Sequence, residues 1–435
     1  MKSDRSTVDF NAMFPHQVCI NLDRRLDRWK RMQERLSKHG IANVVRESAF
    51  DSAQFGVPHS WESEAGAYGC LQSHLKVLVD AKARGLDHIM IWEDDVILAD
   101  GINQRFAQNL RHIPADWDVL VLGALHAAEP EHIAGDIYRI TKSFSSFAFV
   151  VRHTIFDDFI KIHQTGNRPV DHHAIELQRR RNFYSFLPHL AWVEDDPSDI
   201  REESVDYWYI KESLVVLGKG VDAALSRATL IFAFKNTGQS KMSDTYLLFL
   251  INTYRETLPN LPILVVEQGT KPTLSKDRLP SGCQYYFLKI EGDFDRQRCW
   301  KTGLDLVLDK EFVVFSDPNV YLQRLDICGN VRVCERYDVV TGFSQLLGSE
   351  KEAFQQLDQA DPHKRIGLRK LGSTVLPRNS GACLFMRRRV AQQMSESWGN
   401  DFDTMIRSES YRESGKFSVF ESPNLAIRLP FESAP

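Results

Sequence analysis

Short, largely apolar runs alternate with longer stretches of helical period in both halves of this 435-residue chain, and no other feature constrains the fold as much. The first run, Val18 to Leu22, lies between Pro15 and Asp23-Arg24-Arg25 and has the length and flanks of a buried strand. In the stretch after it, Leu26, Trp29, Met32 and Leu36 recur at helical spacing on an otherwise charged surface, and Gly40 is placed to close the helix. A second helix is predicted from about Gly66 to Gly85, with Cys70, Leu71, Leu75, Leu78 and Val79 as its apolar stripe. It feeds a second strand, His88 to Trp92, and a third follows at Asp118 to Leu122. Strands separated by helices of ten or more residues imply βαβ units and a mainly parallel sheet, which binds ligands beyond the carboxyl ends of its strands.

The second half keeps the same order. Strand Thr229 to Phe234, a helix from about Ser243 to Thr257, strands Ile263 to Glu267 and Tyr285 to Leu288, a helix from Asp295 to Leu308 and strand Phe312 to Phe315 follow one another. The expectation is an α/β chain of two domains, residues 1–212 and 213–435, joined near residues 205 to 226. That joint is poor in Pro and Gly, so a packed pair is expected.

Composition removes other classes. With 43% hydrophobic and 11% aromatic residues the chain can fill its cores, and no run of about 18 apolar residues could cross a bilayer. A net charge of −4 gives no field for gathering nucleic acid, and the basic triplets Arg179 to Arg181 and Arg387 to Arg389 are expected to be solvated ends. Cys19, Cys70, Cys283, Cys299, Cys328, Cys334 and Cys383 are odd in number and form no Cys-x-x-Cys pair, so they are predicted to be reduced. With the polar start MKSDRSTVDF, this points to a cytoplasmic setting.

The chemistry concentrates where strands end. Glu93, Asp94 and Asp95 directly follow the strand ending at Trp92, and Asp317 follows the strand ending at Phe315. Carboxylates crowded at a buried strand end repel one another and lose hydration, so a positive partner is expected. Mg²⁺ or Mn²⁺ would serve, since either takes one or two carboxylates and completes its shell with water and diphosphate oxygens. Helix capping or pairing with arginine would serve as well.

Six segments in order carry a resemblance over residues 15 to 205. Ile20-Asn21-Leu22-Asp23-Arg24-Arg25 with Asp27-Arg28, Gly69-Cys70 with Ser73-His74, Trp92-Glu93-Asp94-Asp95, Trp117-Asp118 to Gly123, Ser145-Ser146-Phe147-Ala148, and Pro169-Val170-Asp171 with Ser198-Asp199-Ile200 resemble glycosyltransferase family 25. That family includes lipooligosaccharide and collagen galactosyltransferases. The resemblance implies a GT-A (Rossmann-type) domain that uses a nucleotide sugar, a UDP-hexose by analogy, with Mn²⁺ or Mg²⁺ on Asp94 and Asp95. Asn21, Arg24, Arg25, Arg28, Ser73, His74 and Glu93 would then line the donor and its diphosphate, and Asp171 would be the general base or a further metal contact.

In the second half, Val265-Val266-Glu267-Gln268, Phe294-Asp295-Arg296 opening a helix with Gly303, and Val314-Phe315-Ser316-Asp317 resemble family 2 and β-1,4-galactosyltransferase-like GT-A domains. So do Asn379-Ser380-Gly381-Ala382 and Trp398-Gly399-Asn400-Asp401. This implies Asp317 as a metal ligand and Asp401 as acceptor ligand or base. The metal motif departs from the pattern, because Asp317-Pro318-Asn319 has an amide where a second carboxylate is usual. The whole is expected to be two GT-A-like domains in tandem acting as a metal-assisted, inverting hexosyltransferase. A bifunctional enzyme adding two sugars, or a glycan-binding protein on degenerate GT-A domains, are the alternatives. The acceptor is a hydroxyl; glycan, lipooligosaccharide, protein and modified nucleobase all offer one.

Overall fold

The computed structural model describes residues 10–194, 207–236, 243–343, 345–349, 351–361, 372–376, 383–395, 417–422 and 425–429. It divides into two units, Met1–Gly218 and Lys219–Pro435. In the first, the elements are β1 (Gln17–Asn21), α1 (Leu26–Lys38), β2 (Val44–Ser48), α2 (Ala65–Ala83), β3 (His88–Glu93) and β4 (Val119–Val121). The hairpin β5 (Glu131–Ala134) and β6 (Ile137–Arg139) follows, then β7 (Ala148–Arg152), α3 (Phe156–Thr165), α4 (Val170–Gln178) and β8 (Phe183–Phe186). They form an eight-stranded sheet in the order β2-β1-β3-β7-β4-β8-β6-β5.

The sheet is mixed rather than mainly parallel. Strand β1 runs parallel to β2 and β3, and β4 to β8, but β7 enters the middle antiparallel to both β3 and β4. A parallel neighbour needs a crossover, usually a helix. Between β4 and β7 the chain makes a hairpin instead, so it returns to the sheet from the opposite end. Leu78, Ile89, Ile91, Phe149, Phe159 and Phe183 meet in the core beneath the helices.

Two details of the helices differ from their apolar spacing. Leu26 is 58% exposed, and Arg28 takes a buried place on α1 beside Met32 and Leu36. On α2, Val79 is 44% exposed while Ser73 and His74 are wholly buried. In both cases polar partners across the strand ends, described below, select the face. Gly40 closes α1 in the left-handed region (φ 65°), where only a residue without Cβ is unstrained.

The second unit contains β9 (Ala228–Phe234), α5 (Ser243–Thr257), β10 (Ile263–Gly269), β11 (Cys283–Lys289), α6 (Arg296–Leu306) and β12 (Phe312–Ser316). Strands β13 (Val339–Thr341), β14 (Cys383–Arg387) and β15 (Val419–Glu421) complete a seven-stranded sheet, ordered β11-β10-β9-β12-β14-β13-β15. Its core gathers Ile231, Val266, Trp300, Leu304, Phe315 and Met386. Six neighbouring strands repeat the first unit: β10-β9-β12-β14-β13-β15 pair parallel, parallel, antiparallel, antiparallel, parallel, as β2-β1-β3-β7-β4-β8 do. Asp317 after β12 is thereby the topological counterpart of Asp94 after β3. No helix among the described residues is long and apolar enough to cross a membrane.

Candidate active site at the strand ends

Parallel strands β1 and β3 bring Asn21 and the Glu93-Asp94-Asp95 turn to one end of the first sheet. Asn21 donates through Nδ2 to Asp94 Oδ2 at 2.6 Å. Arg28, in the first turn of α1 and 5% exposed, donates to Asp94 Oδ1 at 3.2 Å and lies 3.7 Å from Asp95 Oδ2. The sequence predicts a positive partner at this strand end, and Arg28 is one.

One guanidinium does not neutralise three carboxylates. Burial pushes Asp94 up, against the Asn21 hydrogen bond and the Arg28 charge, with Glu93 adding repulsion. Burial and then the charges of Glu93 and Asp94 push Asp95 up to about 7. For Glu93, burial works against ionisation, but hydrogen bonds from His74, Ser146 and Cys70 prevail and hold it below its ordinary value. Asp95 Oδ1 is buried with no hydrogen-bond partner. A buried acceptor left unmatched beside two further carboxylates is a site that a hard divalent cation fits, since such a cation supplies charge and coordination to oxygen together.

The remaining predicted residues surround this point in different states. Arg24 pairs with Asp51 at 3.2 Å and Arg25 with Asp27 at 3.1 Å, both at the start of α1, whose N-terminus carries no side-chain cap. Ser73 is engaged with backbone, donating to Gly69 O at 2.7 Å and accepting from Phe50 N at 2.8 Å. His74 is stacked on Phe149 and places Nε2 3.3 Å from Glu93 Oε1. Asp171 lies in the first turn of α4 and accepts from His172 N at 2.8 Å; its charge also raises the Cys70 thiol, after burial and Glu93. Ser198, Asp199 and Ile200 lie outside the described residues.

The second unit solves the same electrostatic problem with a different helix. Arg296, the first residue of α6, reaches both oxygens of Asp317 at 3.3 and 3.0 Å and lies over the Trp300 ring, 4.8 Å from its centre. Asp295 caps that helix by accepting from Arg298 N at 2.9 Å. In the first unit the guanidinium comes from the helix after the first strand, and here it comes from the helix before the carboxylate-tipped strand. Asp401, with the Asn379 to Ala382 and Trp398 to Asn400 motifs, lies outside the described residues.

Residues 14–149 match glycosyltransferase family 25 (LPS biosynthesis protein). The matched stretch runs from before β1 into β7 and holds every predicted site residue of the first unit except Asp171. It marks that unit as similar to sugar transferases. No curated protein matches the sequence. Among solved structures, a protein from Desulfovibrio desulfuricans G20 described as a nucleotide-diphospho-sugar transferase aligns at 8% identity and TM-score 0.31, over 46% of this chain and 81% of its own. Glucosyl-3-phosphoglycerate synthase from Mycobacterium tuberculosis, in complex with Mn²⁺, uridine diphosphate and phosphoglyceric acid, aligns at 13% identity and TM-score 0.32, over 49% and 74%.

Two residues at the site carry more weight than their sequence context suggests. Cys70 counts as an apolar stripe residue by spacing, and Ser146 as one of a Ser-Ser pair, yet both contact Glu93. The signal available was the family motif containing them, since neither spacing nor composition links them to a strand end elsewhere in the chain.

Proposed function

We propose that the first unit transfers a hexose from a UDP-linked nucleotide sugar to an acceptor hydroxyl with inversion. The observation that carries this is the buried, unmatched Oδ1 of Asp95 among the carboxylates beyond β3, inside the stretch that matches a sugar-transferase family. Asp94 and Asp95 would hold Mn²⁺ or Mg²⁺, which when bound neutralises charge on the departing diphosphate. Arg24 and Arg25 stand at the uncapped start of α1, where helix amides and guanidinium groups favour a diphosphate. Asn21 and Arg28 fix Asp94, and His74 fixes Glu93. Asp171 is the proposed base: it takes the acceptor proton as that oxygen attacks the anomeric carbon, while the bond to the diphosphate breaks on the far side. Positioning and charge stabilisation supply most of the rate in such a displacement.

The test is release or transfer of label from UDP-, GDP- and CMP-sugars with Mn²⁺, in wild type and Asp95→Asn. Turnover of a UDP-sugar that Asp95→Asn abolishes is the expected result. Donor binding without turnover would instead support the alternative of a glycan-binding protein on a degenerate GT-A domain. Seven cysteines without a disulfide among them support a cytoplasmic setting for this reading. In the second unit Arg296 meets Asp317 much as Arg28 meets Asp94, and Asp317 would be the metal ligand there. A second transferase site there, making the protein bifunctional, would depend less on Mn²⁺ than the first, because Asn319 stands where a second carboxylate is usual.

A further inference from the structure

Cys70 and His74 are four residues apart on α2, so their side chains share one face of the helix. That face meets the end of β3, where Glu93 Oε1 lies 3.8 Å from Cys70 Sγ and 3.3 Å from His74 Nε2. The three ligand-type atoms all fall within 4.8 Å of one another, which no other trio of His, Cys, Asp and Glu does among the described residues. Around a tetrahedral ion with bonds of about 2.0 Å to nitrogen and oxygen and about 2.3 Å to sulfur, the N–O and S–O edges are about 3.3 and 3.5 Å. The observed separations approach both edges.

A hydrogen-bond role alone explains the thiol poorly. A thiol is a weak donor, and 3.8 Å is a long approach to an anion that a serine hydroxyl would serve better. The nearby guanidinium, Arg28, is committed to Asp94 and Asp95. On its α2 side Glu93 therefore meets an imidazole and a thiol, two groups that ligate soft and borderline cations.

We propose that Cys70, His74 and Glu93 form a site for a thiophilic divalent cation of the Zn²⁺ class, distinct from the hard oxygen donors Asp94 and Asp95. Three protein ligands leave a fourth position for water, the arrangement of an open site rather than a closed structural one. The ligating form of cysteine is the thiolate, so uptake releases the Cys70 proton to solvent. This inference stands on the geometry of α2 and β3 and does not need the transferase reading.

The experiment titrates the full, reduced, metal-stripped chain with Co²⁺ and reads thiolate-to-cobalt charge-transfer absorption. One equivalent is expected to bind with that band, and Zn²⁺ to displace it. Cys70→Ser should remove the band while circular dichroism and melting confirm the fold, and Asp94→Asn should keep it. His74→Ala and Glu93→Gln should each weaken Co²⁺ binding by on the order of tenfold or more, which decides the matter should Cys70→Ser fail to fold. A folded wild type without the band, a band that survives Cys70→Ser, or unchanged affinity in both other variants would overturn the proposal. The readout is cobalt absorption, so its failure leaves the transfer assay untouched.

Discussion

Replacing Asp95 by asparagine should stabilise the metal-free protein above neutral pH while weakening its response to Mn²⁺. The Asp95 side chain is 22% exposed, and its carboxyl is raised from 3.8 to about 7 by burial and by Glu93 and Asp94. Between those two values the unfolded chain has released this proton and the folded chain still holds it. Stability therefore falls as pH rises from about 4 to about 7 and stays level above that. Three units at about 1.4 kcal/mol each cap the penalty near 4 kcal/mol, and partial solvation brings it lower. Asparagine keeps the shape and does not titrate, so that slope should vanish. At about 2 to 4 °C per kcal/mol for a unit of this size, melting in EDTA should show a gain of several degrees for Asp95→Asn over wild type at pH 8, and a much smaller gain at pH 5. Added Mn²⁺ should then raise the wild type more than the variant. An Asp95→Asn protein less stable than wild type by the same margin at both pH values would refute the reasoning.

Arg28→Ala should lower stability in EDTA by on the order of 3 kcal/mol in chemical denaturation, because it strips a buried counter-ion from Asp94 and Asp95. Mn²⁺ should recover part of that loss, and no recovery would argue against a cation beside these carboxylates. In Gly69→Ala the new Cβ would stand 2.6 Å from Phe50 O, a backbone atom that cannot yield cheaply. A loss of about 1 to 3 kcal/mol and weaker Co²⁺ binding are expected, the latter because α2 must move. Asp317→Asn should leave Mn²⁺-dependent turnover by the first unit within about twofold, as expected for sites with separate cores; a tenfold fall would tie Asp317 to that reaction.

The strands were legible because strands buried on both faces are nearly continuous apolar runs, and β1, β3, β9 and β12 are all of that kind. Direction was not legible in β7, since Ala-Phe-Val-Val-Arg would fill a central position equally well either way up. Periodicity gave α1 its apolar positions but could not rank Leu26 below Arg28. What buries Arg28 is Asp94, 66 residues further along the chain. The need for a positive partner at the acidic strand end was readable, because crowded carboxylates after an apolar run repel one another, and Arg28 supplies one. The meeting of Cys70 with Glu93 depends on how closely α2 lies over the 50–52 loop, which Gly69 permits and no local pattern announces.

The antiparallel strand in the middle of each sheet also governs the order in which the protein can be made. Strands β3 and β4 have no common partner until β7 has left the ribosome, and in the first unit the sheet can be finished once residue 186 is out. In the second unit β12 ends at Ser316, its partner β14 does not begin until Cys383, and β15 comes only at Val419. Through that interval the nascent chain presents Phe-Val-Val-Phe-Ser with one edge unpaired, the kind of template on which chains associate. A finished first unit thus travels for some time attached to an unfinished second one. The second unit is accordingly where chaperones would be needed and where a stalled or shortened chain would precipitate.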